Sequence, residues 1–157
     1  MLFRSPIRET LARPRPETPG TTPVHLVLQV AEALRMLRDE GVGTAVRRHE
    51  ANAAVVRQEI ARLGLSLQCP SLRSFAPTVT AIALPEDVPP NVLRDGLKAR
   101  GILAAAAMGR FESSAFRIGH MGDIRRADVD RTLLALAETL GAIRGGIDAA
   151  LAPTARR

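Results

Sequence analysis

The chain has no tryptophan, no tyrosine and a single cysteine, Cys69, among its 157 residues. Aromatic residues make up only 3% of the sequence, which argues against stacking platforms for bases or sugars. One cysteine excludes a disulfide framework and a cysteine-based zinc site. No apolar run approaches the length of a membrane span, and no signal peptide with a continuous apolar centre is present. We therefore expect a reducing, cytoplasmic setting and no membrane partner.

Lysine is also nearly missing, since Lys98 is the only one, although the net charge is +6. A basic balance of this kind is typical of nucleic-acid-binding proteins. The arginines, however, are scattered over several segments, and no basic helix or RNA-binding motif appears. A compositional preference for arginine explains the charge as well, so we expect no nucleic-acid partner. A basic nucleic-acid binder is the weakest of the functional hypotheses.

Apolar residues account for 46% of the chain, which is enough for one domain with its own core. Residues 1–22 contain four prolines and few apolar side chains, and proline at that density disfavours helix and central strand. They are interpreted as an extended arm or truncated linker. Residues 23–145 form the predicted domain, and residues 146–157 a frayed tail.

The hydrophobic periodicity within residues 23–145 predicts one α/β domain, in which amphipathic helices cover one face of a small sheet. Apolar residues three and four apart predict two helices after Pro23, the first ending at Gly41 and the second at Gly64, and a last helix ending at Gly145. Shorter elements are predicted as strands at 65–69, 78–84, 102–106 and 115–118 and a helix at 91–100.

The stretch "FRIGHMGD", residues 116–123, contains the leading candidate for a functional residue, Arg117. It lies between Phe116 and Ile118 in a predicted buried strand, and a buried guanidinium needs a partner. One interpretation is a structural ion pair with a nearby carboxylate. The other is a receptor for a carboxylate or phosphate, because the planar guanidinium matches those anions with two parallel hydrogen bonds.

A second candidate is the "PGTTPV" stretch, where Thr21 precedes a predicted helix. A helix start is suited to binding an anion, but simple helix capping explains the same residues. His120 lacks a carboxylate or nucleophile at a telling spacing, so a turn histidine satisfied by backbone groups is the simpler interpretation. His49 falls on the apolar stripe of its helix, as expected of a residue at the edge of the core. We predict no metal site and no catalytic residue from spacing alone.

Taken together and in order, four stretches resemble the C-terminal part of class V aminotransferases, in particular the alanine–glyoxylate and serine–pyruvate aminotransferase group. They are "TPGTTPV", "RRHEANAAVVRQEIARLGLSL", "PTVTAIALPEDVPPNVLRDGLKARGIL" and "FRIGHMGDI", and the likeness covers residues 18–143. The resemblance implies the C-terminal small domain of a fold-type I pyridoxal-phosphate enzyme, with a short, mostly antiparallel sheet. It also implies a homodimer in the complete enzyme.

The resemblance assigns roles to two residues. Arg117 matches the arginine that binds the α-carboxylate of the amino-acid or 2-oxo-acid substrate. Thr21 matches the threonine that contributes to the pyridoxal-phosphate site of the neighbouring subunit. The sequence departs from the family at Thr18, where an aromatic hydroxyl is common, and at Ala106 and Ala107, where the family has glycines.

The larger departure is the missing lysine. A transaminase holds pyridoxal phosphate as a Schiff base on a lysine, which in this family lies upstream of the segment that matches. Lys98 is far along the chain from that place. The resemblance implies transfer of an amino group between a small amino acid, such as alanine or serine, and glyoxylate or pyruvate, with the isolated chain inactive. The alternative hypothesis is a non-catalytic module that binds a small acid or a protein.

Overall fold

The structure is a computed structural model that describes residues 4–15, 21–69, 71 and 75–151. It divides into two compact units, residues 1–42 and residues 43–157. The first unit contains the helices α1 (Arg4–Leu11) and α2 (Val24–Glu40). Residues 1–3 and 16–20, which belong to the predicted arm and include Thr18, lie outside the described residues.

Helix α1 contradicts the expectation that the whole proline-rich segment is extended. Pro6 is the third residue of α1, and the missing N–H of a proline is tolerated in the first turn because it has no intrahelical acceptor there. Helix α2 ends as predicted at Gly41, which adopts a φ of 83° and donates its N–H to the carbonyls of Leu37 and Arg38. None of the residues of α2 is buried, so its apolar stripe, including Leu28 and Leu34, is exposed.

The second unit contains the predicted sheet and the remaining helices. Its elements are α3 (Val42–Arg62), β1 (Ser66–Leu67), β2 (Val79–Ala83), α4 (Pro90–Ala99), β3 (Ala105–Ala106), β4 (Ala115–Gly119) and α5 (Arg126–Leu151). The predicted order of these elements is confirmed, although β1 and β3 are shorter than expected. The predicted end of α5 at Gly145 is wrong, because the helix continues through Gly146 to Leu151. Two glycines weaken a helix by about 1 kcal/mol each but do not forbid it.

The four strands form one sheet in the order β1-β2-β4-β3, and every neighbouring pair is antiparallel. The predicted antiparallel sheet is therefore confirmed. Strand β4 lies between β2 and β3, with Arg117 directly opposite Ala81 on one side and Ala105 on the other. Residues directly opposite each other share a face of the sheet, so these three side chains project together.

Helices α3, α4 and α5 cover the other face of the sheet. Ile82, Phe116 and Ile118 project from β2 and β4 into the core, where Phe116 is fully buried. The helices contribute Val56, Ile60, Leu93, Leu97, Val129, Leu133, Leu136 and Leu140. The hydrophobic core thus fixes the position of β4, and Arg117, between two core residues of that strand, projects from the opposite face.

Candidate functional site

Arg117 is the centre of the candidate site. Its neighbours in the strand are buried, as predicted, whereas Arg117 itself is half-buried. The side chains across from it are the methyl groups of Ala81 and Ala105. Because these groups are short, they leave the guanidinium group uncovered on the side that faces away from the core.

Within the described part of the chain, Arg117 uses only a small part of its hydrogen-bonding capacity. Its Nε donates to the carbonyl oxygen of Ala106 at 2.9 Å, which fixes the direction of the guanidinium. Among the described residues, no carboxylate forms an ion pair with Arg117. The hypothesis of a structural ion pair therefore finds no partner in the described part of the chain. The two terminal nitrogens remain oriented and able to donate to an anion.

A cavity of about 170 Å³ lies beside this guanidinium. Its lining consists of Arg57, Leu67, Cys69, Phe75, Ala76, Val79, Thr80, Ala81 and Arg117. Pockets that bind drug-sized ligands measure about 300–1,000 Å³, so this volume suits a small organic acid. The described lining contains two cationic side chains and no acidic one, which makes the cavity attractive to anions.

Arg57 was not identified by the sequence analysis. It lies on α3 next to the buried Val56, and its Cζ is 4.7 Å from the centre of the Phe75 ring. Its Nη2 donates to the carbonyl oxygen of Ala76 at 3.2 Å. These contacts join residues 18 and 19 positions apart, so the periodicity of α3 carries no sign of them.

The turn that follows Arg117 is held by α3. Asn52, which is 2% exposed, donates from Nδ2 to the carbonyl oxygen of Ile124 at 3.1 Å. Nη1 of Arg48 donates to the carbonyl oxygens of Gly122 and Ile124, both at 2.9 Å. Gly122 adopts a φ of 76°, which favours glycine at this point of the turn. These bonds attach the "GHMGD" turn to the helix that also carries Arg57.

His120, at the start of that turn, is 1% exposed. Its Nε2 lies 3.0 Å from Oγ1 of Thr80, while Nδ1 has no hydrogen-bond partner. The sequence analysis expected backbone groups alone around this ring, whereas the structure adds the Thr80 hydroxyl to the nearby Pro77 carbonyl. Burial lowers the pKa of His120, the nearby Pro77 carbonyl opposes this, and the positive charge of Arg57 adds to the lowering. His120 does not line the cavity beside Arg117.

Thr21 lies in the first unit and Arg117 in the second. Thr21 is exposed and forms no hydrogen bond to a described residue. The capping interpretation is wrong for this position, because Pro23 occupies the N-cap of α2 and no side chain caps the helix. His49 is half-buried, with Nδ1 2.7 Å from the carbonyl oxygen of Ala45, as expected at the edge of the core. Lys98 is exposed on α4 and does not line the cavity.

Within the described residues, no three His, Cys, Asp or Glu side chains gather in a way that would hold a metal ion. Over the same part of the chain, no helix combines the length and apolar character needed to cross a membrane.

Known proteins are similar to this chain in sequence and in fold. A serine–glyoxylate aminotransferase from Methylorubrum extorquens is 30% identical over 128 residues, which cover 81% of this chain and 29% of that protein. The crystal structure of pyridoxamine–pyruvate aminotransferase from Mesorhizobium loti matches with a TM-score of 0.77 and 27% identity, over 82% of this chain and 33% of that one. The chain matches the C-terminal part of class V aminotransferases.

The match is partial, since the chain spans about 30% of the length of these aminotransferases. A protein named soluble hydrogenase small subunit, from a Synechococcus strain, is 32% identical over 127 residues, or 80% of this chain and 32% of that protein. No protein-family profile matches the sequence. The solved structures of aminotransferases that match are fold-type I pyridoxal-phosphate enzymes, which confirms the predicted fold class.

Proposed function

We propose that this chain supplies the substrate-carboxylate site of a pyridoxal-phosphate-dependent aminotransferase. The reaction would move an amino group between a small amino acid, alanine or serine, and a 2-oxo acid, glyoxylate or pyruvate. The observation that carries the proposal is the guanidinium of Arg117, which is fixed through Nε while its terminal nitrogens have no carboxylate partner among the described residues. The named relatives support the reaction class.

The geometry explains what Arg117 would contribute. A bidentate pair between a guanidinium and a carboxylate fixes both the position and the plane of the acid. The remaining groups at the α-carbon are then held in one orientation, which lowers the entropic cost of reaching the reactive arrangement. The small side chains of Ala81 and Ala105 leave room for that acid above the sheet.

The described residues do not fit a complete pyridoxal-phosphate site. Lys98, the only lysine, is exposed on α4 and does not line the cavity beside Arg117. Thr21 is exposed, which suits a contact with the phosphate group of the pyridoxal phosphate bound by the neighbouring subunit, as the resemblance implies. We therefore propose that the 157-residue chain alone transfers no amino group and that the complete enzyme is a homodimer.

A non-catalytic module that binds a small acid is the second candidate. The cavity lined by two arginines and no carboxylate favours it, because that lining needs no cofactor in order to bind an anion. The name of the hydrogenase relative does not lead to a further candidate function for this cavity. Cysteine thiolates hold iron–sulfur clusters, and this sequence has one cysteine.

The test is a chimera in which this chain replaces the matching C-terminal part of the serine–glyoxylate aminotransferase of Methylorubrum extorquens. We expect the chimera to bind pyridoxal phosphate, seen in its visible absorbance, and to transfer an amino group to glyoxylate, while the isolated chain does neither. A folded, cofactor-loaded chimera without transfer would contradict the aminotransferase proposal. In that case, binding of small acids by the isolated chain would favour the second candidate.

A further inference from the structure

The cavity beside Arg117 contains a second guanidinium for which the carboxylate-binding role of Arg117 gives no reason. Arg57 reaches this cavity from α3, whereas Arg117 reaches it from the sheet. Its position is defined on two sides, by the Phe75 ring under its Cζ and by the Ala76 carbonyl that accepts from Nη2. A guanidinium stacked on a ring keeps its edge available for hydrogen bonds in its own plane.

Among the described residues, no negative charge balances the two arginines. The part of the lining that the structure describes contains no Asp or Glu, and no described carboxylate forms an ion pair with Arg57. His120, on the turn after β4, is buried, and the charge of Arg57 adds to the burial that disfavours its protonation. Two like charges in one half-buried cavity repel each other, so an occupant with two negative groups is favoured over one with a single group.

We propose that Arg57 binds a second carboxylate, so that the cavity takes a short dicarboxylic amino or 2-oxo acid. Arg117 binds the α-carboxylate and Arg57 binds the carboxylate at the far end of the side chain. The volume of about 170 Å³ suits a molecule of that size. The inference rests on the proposed aminotransferase function and changes one part of it, because one of the two amino-group partners is then a dicarboxylic acid in place of alanine, serine, glyoxylate or pyruvate.

The experiment compares succinate with butyrate, two four-carbon acids that differ in one terminal carboxylate. Both are titrated into the isotopically labelled 157-residue chain at fixed ionic strength, and dissociation constants are read from backbone amide shifts of residues around the cavity. We expect succinate to bind about tenfold more tightly, or more, because a charge-assisted hydrogen bond to a guanidinium is worth that factor.

Three variants separate the two arginines. Arg57→Gln should weaken the binding of succinate to the level of butyrate and leave the binding of butyrate unchanged. Arg117→Gln should weaken the binding of both acids. Arg62→Gln is the matched control, because Arg62 lies on the same helix but pairs with Glu59 and does not line the cavity; it should change neither constant. Amide spectra of each variant confirm that the fold is intact.

Equal dissociation constants for the two acids, or a succinate constant unaffected by Arg57→Gln, would overturn the inference while the role of Arg117 stands. Absence of binding by both acids would overturn it as well, and the chimera would still test the aminotransferase proposal separately. Butyrate binding that is unaffected by Arg117→Gln would instead contradict the proposed role of Arg117.

Discussion

Gly96 lies where α4 packs against α5, and the close approach of the two helices there can be tested by adding one methyl group. A Cβ at position 96 would lie 2.5 Å from Cγ2 of Thr139, closer than two carbon atoms can approach. Thr139 is 2% exposed, and its hydroxyl donates to the carbonyl oxygen of Ala135 at 2.7 Å. This hydrogen bond holds the threonine in its rotamer, so turning Cγ2 away from position 96 would break it.

Two opposing contributions decide the effect of Gly96→Ala. Alanine is better than glycine inside a helix by about 1 kcal/mol, which raises the free energy of unfolding. Forcing a methyl group against Cγ2 of Thr139 costs about 1–3 kcal/mol, which lowers the free energy of unfolding. We expect the steric cost to exceed the gain in helix propensity, which gives a net destabilisation of about 1 kcal/mol and lowers Tm by a few degrees.

Thr139→Ser supplies the control, because serine keeps the hydroxyl that bonds Ala135 and lacks the methyl group that clashes. In the Thr139→Ser background, Gly96→Ala should stabilise the protein by about 0.5–1 kcal/mol, so that the effect changes sign. Urea unfolding of the four proteins, followed by circular dichroism, measures the coupling between the two sites. If Gly96→Ala stabilised both backgrounds equally, the two helices would not be packed as described.

Further predictions concern the turn after Arg117 and its histidine. Burial lowers the pKa of His120 below 6.5, so below that pH the unfolded chain takes up a proton that the folded chain does not. The contribution of this histidine to the free energy of unfolding should therefore be fully present above pH 6.5 and decrease as the pH falls below it. His120→Gln should remove that decrease between pH 6.5 and the range where carboxylates titrate, as measured by urea unfolding; an unchanged pH profile would contradict a neutral buried ring. Asn52→Ala should lower the free energy of unfolding by about 1 kcal/mol, because Arg48 still donates to the carbonyl oxygen of Ile124. In the double variant with Arg48→Ala, the loss should exceed the sum of the losses in the two single variants. Simple additivity in the same assay would show that the two donors do not share the turn.

The elements of the fold were largely predictable because their signals are local. The apolar stripe and terminal Gly41 of α2, and the β-branched residues of β2, follow from neighbouring positions in the sequence. The errors arose where local rules compete with context. Pro6 is compatible with the first turn of α1, and the Gly145–Gly146 pair does not stop α5.

The candidate site was only half predictable. Arg117 stood out because a charged residue between two apolar strand residues is uncommon, and the surrounding motifs resemble a family in which that arginine binds substrate. Arg57 gave no such signal, since an arginine on an amphipathic helix is ordinary. Its meaning depends on the approach of Phe75 and Ala76, which is a tertiary contact.

The most direct test of the central claim is the effect of Arg117→Gln on kcat/KM in the chimera with the serine–glyoxylate aminotransferase. A bidentate charge-assisted pair contributes about 3 kcal/mol or more, so we expect kcat/KM for the amino donor to fall at least about 100-fold, with cofactor absorbance and thermal stability unchanged. Arg117→Lys should recover only a small part of this loss, because a single ammonium cannot reproduce the planar two-bond contact. A kcat/KM within a few-fold of the unmutated chimera would contradict the role of Arg117 as the receptor of the substrate carboxylate.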